Sequence, residues 1–141
     1  MKGFLLDTNC ISELVSVKPE PRVLDWIGSA DELLLFVSVL TLGEIRKGIA
    51  GLKQGKRRDR LTAWLDTELT SRFEGRLLVI DSQVAQQWGV LAAKAARVGR
   101  PLPVIDGLLA ATALCHELTV VTRNESDFLN TGVTIWNPWK A

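Results

Sequence analysis

At 141 residues and 15.6 kDa, the chain has the length of one domain, and a core of that size folds without disulfides or a structural metal. Apolar residues at 47% and charged residues at 23% match a globular protein and exclude a disordered, fibrous or coiled-coil chain. Seventeen Lys and Arg against 16 Asp and Glu leave a net charge of +1, so attraction to nucleic acid must come from a local patch.

The opening Met-Lys-Gly-Phe-Leu-Leu runs straight into Asp7, without the apolar core of a signal peptide. No apolar run reaches the roughly 18–20 residues that a membrane span requires. Cys10 and Cys115 both sit in apolar contexts and read as buried free thiols of a reducing, cytoplasmic compartment.

In chain order, Phe4-Leu5-Leu6 is a predicted strand closed by Asp7. Asn9 is positioned to cap a short helix carrying Ile11, Leu14 and Val15. Residues 21–30 place Val23, Leu24, Trp26 and Ile27 at helical spacing. Residues 33–37 form a second predicted strand, closed by Ser38. Helices follow over 41–52 (Leu42, Ile45, Ile49, Leu52) and 58–73 (Leu61, Trp64, Leu65, Leu69, Phe73). Residues 77–80 read as a third strand before Asp81, and 82–98 as a helix with Asp81 or Ser82 as its cap. Residues 104–117 are nearly all apolar and predict a buried central helix. Residues 118–121 are a fourth strand before Thr122, and 133–136 a weaker fifth before Asn137-Pro138. Continuous rather than alternating apolar strands imply that both faces are covered. Strands alternating with helices predict a single three-layer α/β/α domain over residues 1–141, with a central, mostly parallel sheet of four or five strands. Ligands of such sheets bind beyond the carboxyl ends of the strands.

Acids cluster at those ends. Asp7 follows the first strand directly, where it can serve a site or cap a helix. Glu44, in Thr41-Leu42-Gly43-Glu44, follows the second strand; the same four residues spell a capping box. Asp106 opens the apolar helix, where a carboxylate must face water, a cation or a donor. Asp127 lies in the loop after the fourth strand, with Asn124 as its competitor for a site position and Thr122 nearer the strand end. Asp81 reads as a helix cap, and His116 as a helix C-terminal residue. Several carboxylates at one edge repel and raise one another's pKa values unless a cation intervenes. An all-oxygen set suits Mg²⁺ or Mn²⁺ and disfavours zinc. One or two such ions can activate water for phosphodiester hydrolysis.

With Leu5-Leu6-Asp7-Thr8-Asn9, the 41–48 segment ending Glu44-Ile45-Arg46-Lys47-Gly48, the Asp106 helix with Ala110-Ala111-Thr112-Ala113, and Thr122-Arg123-Asn124 ending in Asp127-Phe128, the whole chain resembles the PIN-domain ribonucleases, in particular the VapC- and FitB-like toxins of toxin–antitoxin pairs. The resemblance implies a PIN-like fold and Mg²⁺- or Mn²⁺-dependent RNA cleavage. It also implies a homodimer and a cognate antitoxin that wraps the toxin and blocks its site. Asp7, Glu44 and Asp106 match the family's three principal acids and its metal ligands. The fourth acidic position falls on Asn124, with Asp127 as a substitute, or the site has three acids. Asn9 and Thr122 match frequent polar neighbours.

Residues 46–60 carry seven basic side chains (Arg46, Lys47, Lys53, Lys56, Arg57, Arg58, Arg60) against Asp59 alone. They read as a solvated corner or as a phosphate-tracking patch in which Arg46 and Lys47, with Arg123 near the acids, contact RNA. The five tryptophans read as core or interface, with Trp136 and Trp139 as contacts for a second subunit. Two other readings compete with the nuclease. One is a non-catalytic RNA-binding or protein-interaction module on the same fold. The other is a phosphatase or phosphoacceptor built on Asp7, which Asn9 argues against. The absence of a GxxxxGK[ST] loop excludes a nucleotide triphosphatase of that type.

Overall fold

A computed structural model describes residues 2–140. Its strands are β1 (Phe4–Leu6), β2 (Leu35–Ser38), β3 (Leu77–Leu78), β4 (Thr119–Val121) and β5 (Ile135–Trp136). They form one five-stranded sheet in the order β3-β2-β1-β4-β5, and each adjacent pair is parallel. The helices are α1 (Thr8–Ser12), α2 (Pro21–Ser29), α3 (Val39–Ala50), α4 (Lys56–Ala63), α5 (Thr70–Arg72), α6 (Ser82–Arg97) and α7 (Val104–His116). A π-helical stretch, Trp64–Leu69, joins α4 to α5.

The strands look uniformly apolar because each face has its own core. Leu6, Leu35, Val37 and Val121 pack with Cys10, Ile11, Val23, Ile27, Ile49, Leu65, Leu69 and Phe73. Leu5 and Val120 pack on the opposite face with Val84, Leu91, Leu109 and Ala110. Each fully buried Leu, Val or Phe contributes roughly 1.5–3 kcal/mol relative to an exposed one. Thus α1 to α5 cover one face, and α6 and α7 cover the other. Strand β1 lies between β2 and β4, which are reached over opposite faces. That reversal opens a crevice at the carboxyl ends of β1 and β4.

The second predicted strand begins two residues late. Leu33 and Leu34 belong to a 3₁₀ turn (Glu32–Leu34), whose start is capped by Asp31 accepting from the Leu33 N–H at 3.0 Å. The third shrinks to Leu77–Leu78 because β3 is an edge with a single neighbour, and Val79 is exposed. Helix α3 starts at Val39, with Ser38 as its cap, accepting from the Leu40 N–H at 3.0 Å. Thr41 and Glu44 are therefore inside the helix, and the capping-box reading of those residues is corrected. The cap of α1 is Asp7, not Asn9. Asp81 caps α6, accepting from the Val84 N–H at 2.9 Å.

Both cysteines are free thiols; Cys10 is buried and Cys115 partly so. Trp139 is buried in the first core, which corrects its expected role as a surface contact, whereas Trp136 is 37% exposed. Among the described residues, no helix is long and apolar enough to cross a membrane.

Candidate active site

The crevice is built from loops that leave the carboxyl ends of β1, β2 and β4 and from the first turn of α7. Asp7 leaves β1 with its N–H bonded to the Val121 carbonyl of β4 at 3.0 Å, and its side chain turns back over the strand ends. Oδ1 accepts from the Thr8 N–H at 2.8 Å, and Oδ2 accepts from the Thr122 hydroxyl at 2.8 Å and from Asn9 Nδ2 at 3.4 Å. Asp7 therefore caps α1, one of its two sequence-derived readings, and does so from the carboxyl end of β1. The Thr122 hydroxyl is also saturated: it accepts from Asn9 Nδ2 at 3.2 Å and from the Asn124 N–H at 3.0 Å while donating to Asp7. Asn9 and Thr122 thus form a frame that fixes the Asp7 carboxylate.

Glu44 enters from α3. Its Oε1 accepts from the Thr8 hydroxyl at 2.5 Å, and the Thr41 hydroxyl stands 3.3 Å from that of Thr8. Thr8 thus ties the acid of α3 to the acid of β1. Sequence reading passed over this role because a threonine between Asp7 and Asn9 carries no sign of its partner 36 residues away. Asp106 sits in the first turn of α7. Asp127 is carried by a 3₁₀ turn, Glu125–Phe128, and is partly buried. Asn124, its competitor, is exposed and gives its backbone N–H to Thr122.

These carboxylates share one electrostatic field. Burial raises the Asp7 pKa above the ordinary carboxylate value, against the lowering effect of Thr122 and Thr8, and the charges of Glu44 and Asp127 raise it further. Asp106 is pushed up to about 6, first by burial and then by the charges of Asp127, Asp7 and Glu44. Each influence on it acts upward, although the helix start would favour its anion. Four acids from four places in the chain therefore converge.

Among the described residues, no three acidic, histidine or cysteine side chains close on one point as a ready-made metal cage. The donor set nonetheless fits a hard divalent ion. It is all oxygen, its anions repel, and Mg²⁺ is ordinarily held by one or two carboxylates with water and substrate phosphate. His116 stands at the far end of α7, roughly 15 Å along the helix from Asp106 by its rise per residue, so it belongs to no common ligand set.

The basic residues are less concentrated here than the sequence suggests. Arg46 is engaged in an ion pair with Asp66. Lys47 is exposed on α3. The Arg123 guanidinium lies 6.0 Å above the Trp139 ring, and the Arg123 backbone N–H donates to Asn9 Oδ1 at 3.4 Å. Arg57, Thr8 and Glu44 also line a groove of about 280 Å³ between α1, α3 and α4, floored by Ile45, Ile49 and Trp64.

Fold and site together define an α/β/α domain with a carboxylate centre at its topological switch point. The chain belongs to the PIN domain family, which matches residues 4–133. It is 37% identical over 135 residues to the toxin FitB of Neisseria gonorrhoeae, covering 96% of this chain and 97% of that protein. It is 38% identical over 136 residues to the VapC ribonuclease Y4jK of Sinorhizobium fredii, covering 96% and 97%. The crystal structure of FitAcB from Neisseria gonorrhoeae superposes with a TM-score of 0.93 at 36% identity, covering 98% of this chain and 99% of that one.

Proposed function

We propose that this chain is a Mg²⁺- or Mn²⁺-dependent endoribonuclease that acts as the toxin of a toxin–antitoxin pair. The observation that carries the reading is that Asp106, raised to about 6 first by burial, also feels the charges of Asp127, Asp7 and Glu44, acids from separate elements that meet at one edge of the sheet. Such crowding costs stability and serves no packing purpose. A cation removes the cost and gives the acids a common role. The ribonuclease name of the Sinorhizobium fredii relative supports RNA as the substrate.

Asp7 and Asp106 would hold the ion, with Glu44 as a further ligand. When bound, the ion supplies charge neutralisation at the scissile phosphate and a more acidic water for in-line attack. The chain's own part is positional. Thr122, Asn9 and the Thr8 N–H hold the Asp7 carboxylate in one rotamer. Thr8 holds Glu44, and Asp127 sets the negative potential on the α7 side. Lys47 and Arg123 would contact flanking phosphates. A non-catalytic module would need none of this carboxylate framing.

A toxin carried by its own cell requires a neutralising partner, and the FitB relative is named as a toxin. The groove between α1, α3 and α4 ends at Glu44. An antitoxin segment laid into it would cover Glu44.

The test is RNA cleavage by the purified chain with Mn²⁺, Mg²⁺ or chelator, beside Asp7→Asn. Metal-dependent cleavage lost in the variant is the expected result. Equal cleavage by both proteins, or cleavage in chelator, overturns the assignment.

A further inference from the structure

The acids also form one wall of a cavity that the reaction as described does not use. It measures about 190 Å³ and is lined by Asp106 and Asp127 together with Leu91, Ala95, Leu102 and Leu129, with Ser126, Asn130 and Arg100 at its polar rim. Ala95, Val98, Arg100 and Asn130 are shared with an adjoining hollow of about 410 Å³ that adds Lys94. Arg100 thus lines both hollows, with Asp106 and Asp127 in the first and Lys94 in the second. Among the described residues, neither Lys94 nor Arg100 takes part in any of the ion pairs, and both are exposed. None of these residues belongs to the basic run at 46–60.

We infer that this is a nucleotide subsite: the cavity seats the base of the nucleotide next to the scissile phosphate, and Arg100 and Lys94 hold the following phosphate. The inference rests on the nuclease reading for which phosphate is cut. Single-stranded RNA is recognised by splaying a base into a lined pocket and hydrogen-bonding its edge. Leu91, Leu102 and Leu129 give the apolar contacts. Ser126 and Asn130 supply a hydroxyl and an amide for the base edge, and Asp127 accepts from an amino group. Ion pairing would have masked the cations; here they are open to phosphate, which favours a nucleic acid over an apolar peptide segment as the occupant.

Two variants act on different parts of the subsite. Ala95→Leu fills the cavity from α6, and Arg100→Ala removes an exposed charge that makes no ion pair among the described residues. In the cleavage arm, a randomised single-stranded RNA pool is cut by the full chain with Mn²⁺ and the product ends are sequenced. A base preference on one side of the cut is expected for the wild type, flattened in Ala95→Leu. Arg100→Ala is expected to raise KM about tenfold with kcat unchanged. In the binding arm, labelled RNA hexamers of each base, and one abasic hexamer, are titrated in chelator. The abasic hexamer is expected to bind several-fold more weakly than the best base hexamer, with that difference lost in Ala95→Leu. Arg100→Ala is expected to lower the salt-dependence slope by about 0.7, the value for one phosphate contact on a single strand. The proposal is overturned if both variants keep the wild-type base preference, affinity and salt slope. That result also follows if a protein segment is the true occupant. If wild type and Asp7→Asn cut alike, the nuclease reading falls by itself, and the binding arm still decides the subsite.

Discussion

Replacing Asp106 by Asn isolates what it costs to hold these acids together. Burial and the charges of Asp127, Asp7 and Glu44 raise Asp106 from 3.8 to about 6. A rise of that size corresponds to about 3 kcal/mol between the two protonation states. Asp106 is partly exposed, and solvent screening leaves about 1 kcal/mol as the usable figure. The ionised form is the one disfavoured in the folded chain. Between 3.8 and about 6 the folded state therefore binds more protons than the unfolded state. Stability then increases as pH falls through that window and is lowest above it. Asparagine carries no charge at any of these pH values. In chelator at pH 7.5, Asp106→Asn is expected to be about 1 kcal/mol more stable than the wild type, or roughly 3 °C in thermal midpoint. The gap is expected to narrow as pH drops from 6 toward 4. Thermal unfolding followed by circular dichroism over a pH series measures both. The same variant is expected to lose at least a hundredfold in RNA cleavage, so stability and activity move in opposite directions. A variant less stable than the wild type at pH 7.5, or a gap indifferent to pH, refutes the reasoning.

Three further outcomes follow from the same geometry. Thr122→Val removes the 2.8 Å hydrogen bond to Asp7 Oδ2 and is expected to destabilise the fold by about 1–3 kcal/mol. It also raises the Asp7 pKa, so the acid limb of the cleavage–pH profile moves to higher pH. Gly107→Ala places a Cβ 2.9 Å from Trp88 Cδ1 and 3.0 Å from Leu102 Cδ2. Urea unfolding is expected to show a loss of about 1–3 kcal/mol for that overpacking, with partial recovery when Trp88→Leu opens the space. Saturating Mg²⁺ is expected to raise the thermal midpoint of the wild type, by mass action on the folded state, and to leave that of Asp7→Asn unmoved.

The five strands were legible because a parallel strand covered on both faces has no polar positions to spare. Their ends were less so. Leu33 and Leu34 continue an apolar run, but Asp31 offers a local cap that turns them out of the sheet. Thr41-x-x-Glu44 has the spelling of a helix start, yet Ser38 ends β2 and caps α3 with no loop between. Asp7, Glu44 and Asp106 were readable as acids closing strands or opening a helix. The hydrogen bond that joins Glu44 to the β1 edge was not, since its donor, Thr8, looks like any threonine. The influence of Asp127 on Asp7 and Asp106 depends on the 3₁₀ turn that carries it. Local composition does not encode that turn. Lys94 and Arg100 drew no notice because charges near a helix C-terminus are ordinary; only the fold brings them to hollows that adjoin the acids.

Crystals of the chain soaked in Mn²⁺ and measured for anomalous scattering address the central claim most directly. The expected map has a peak in the crevice at bonding distance from carboxylate oxygens of both Asp7 and Asp106. Saturating Mn²⁺ that yields no peak there, or one held by neither residue, contradicts the account.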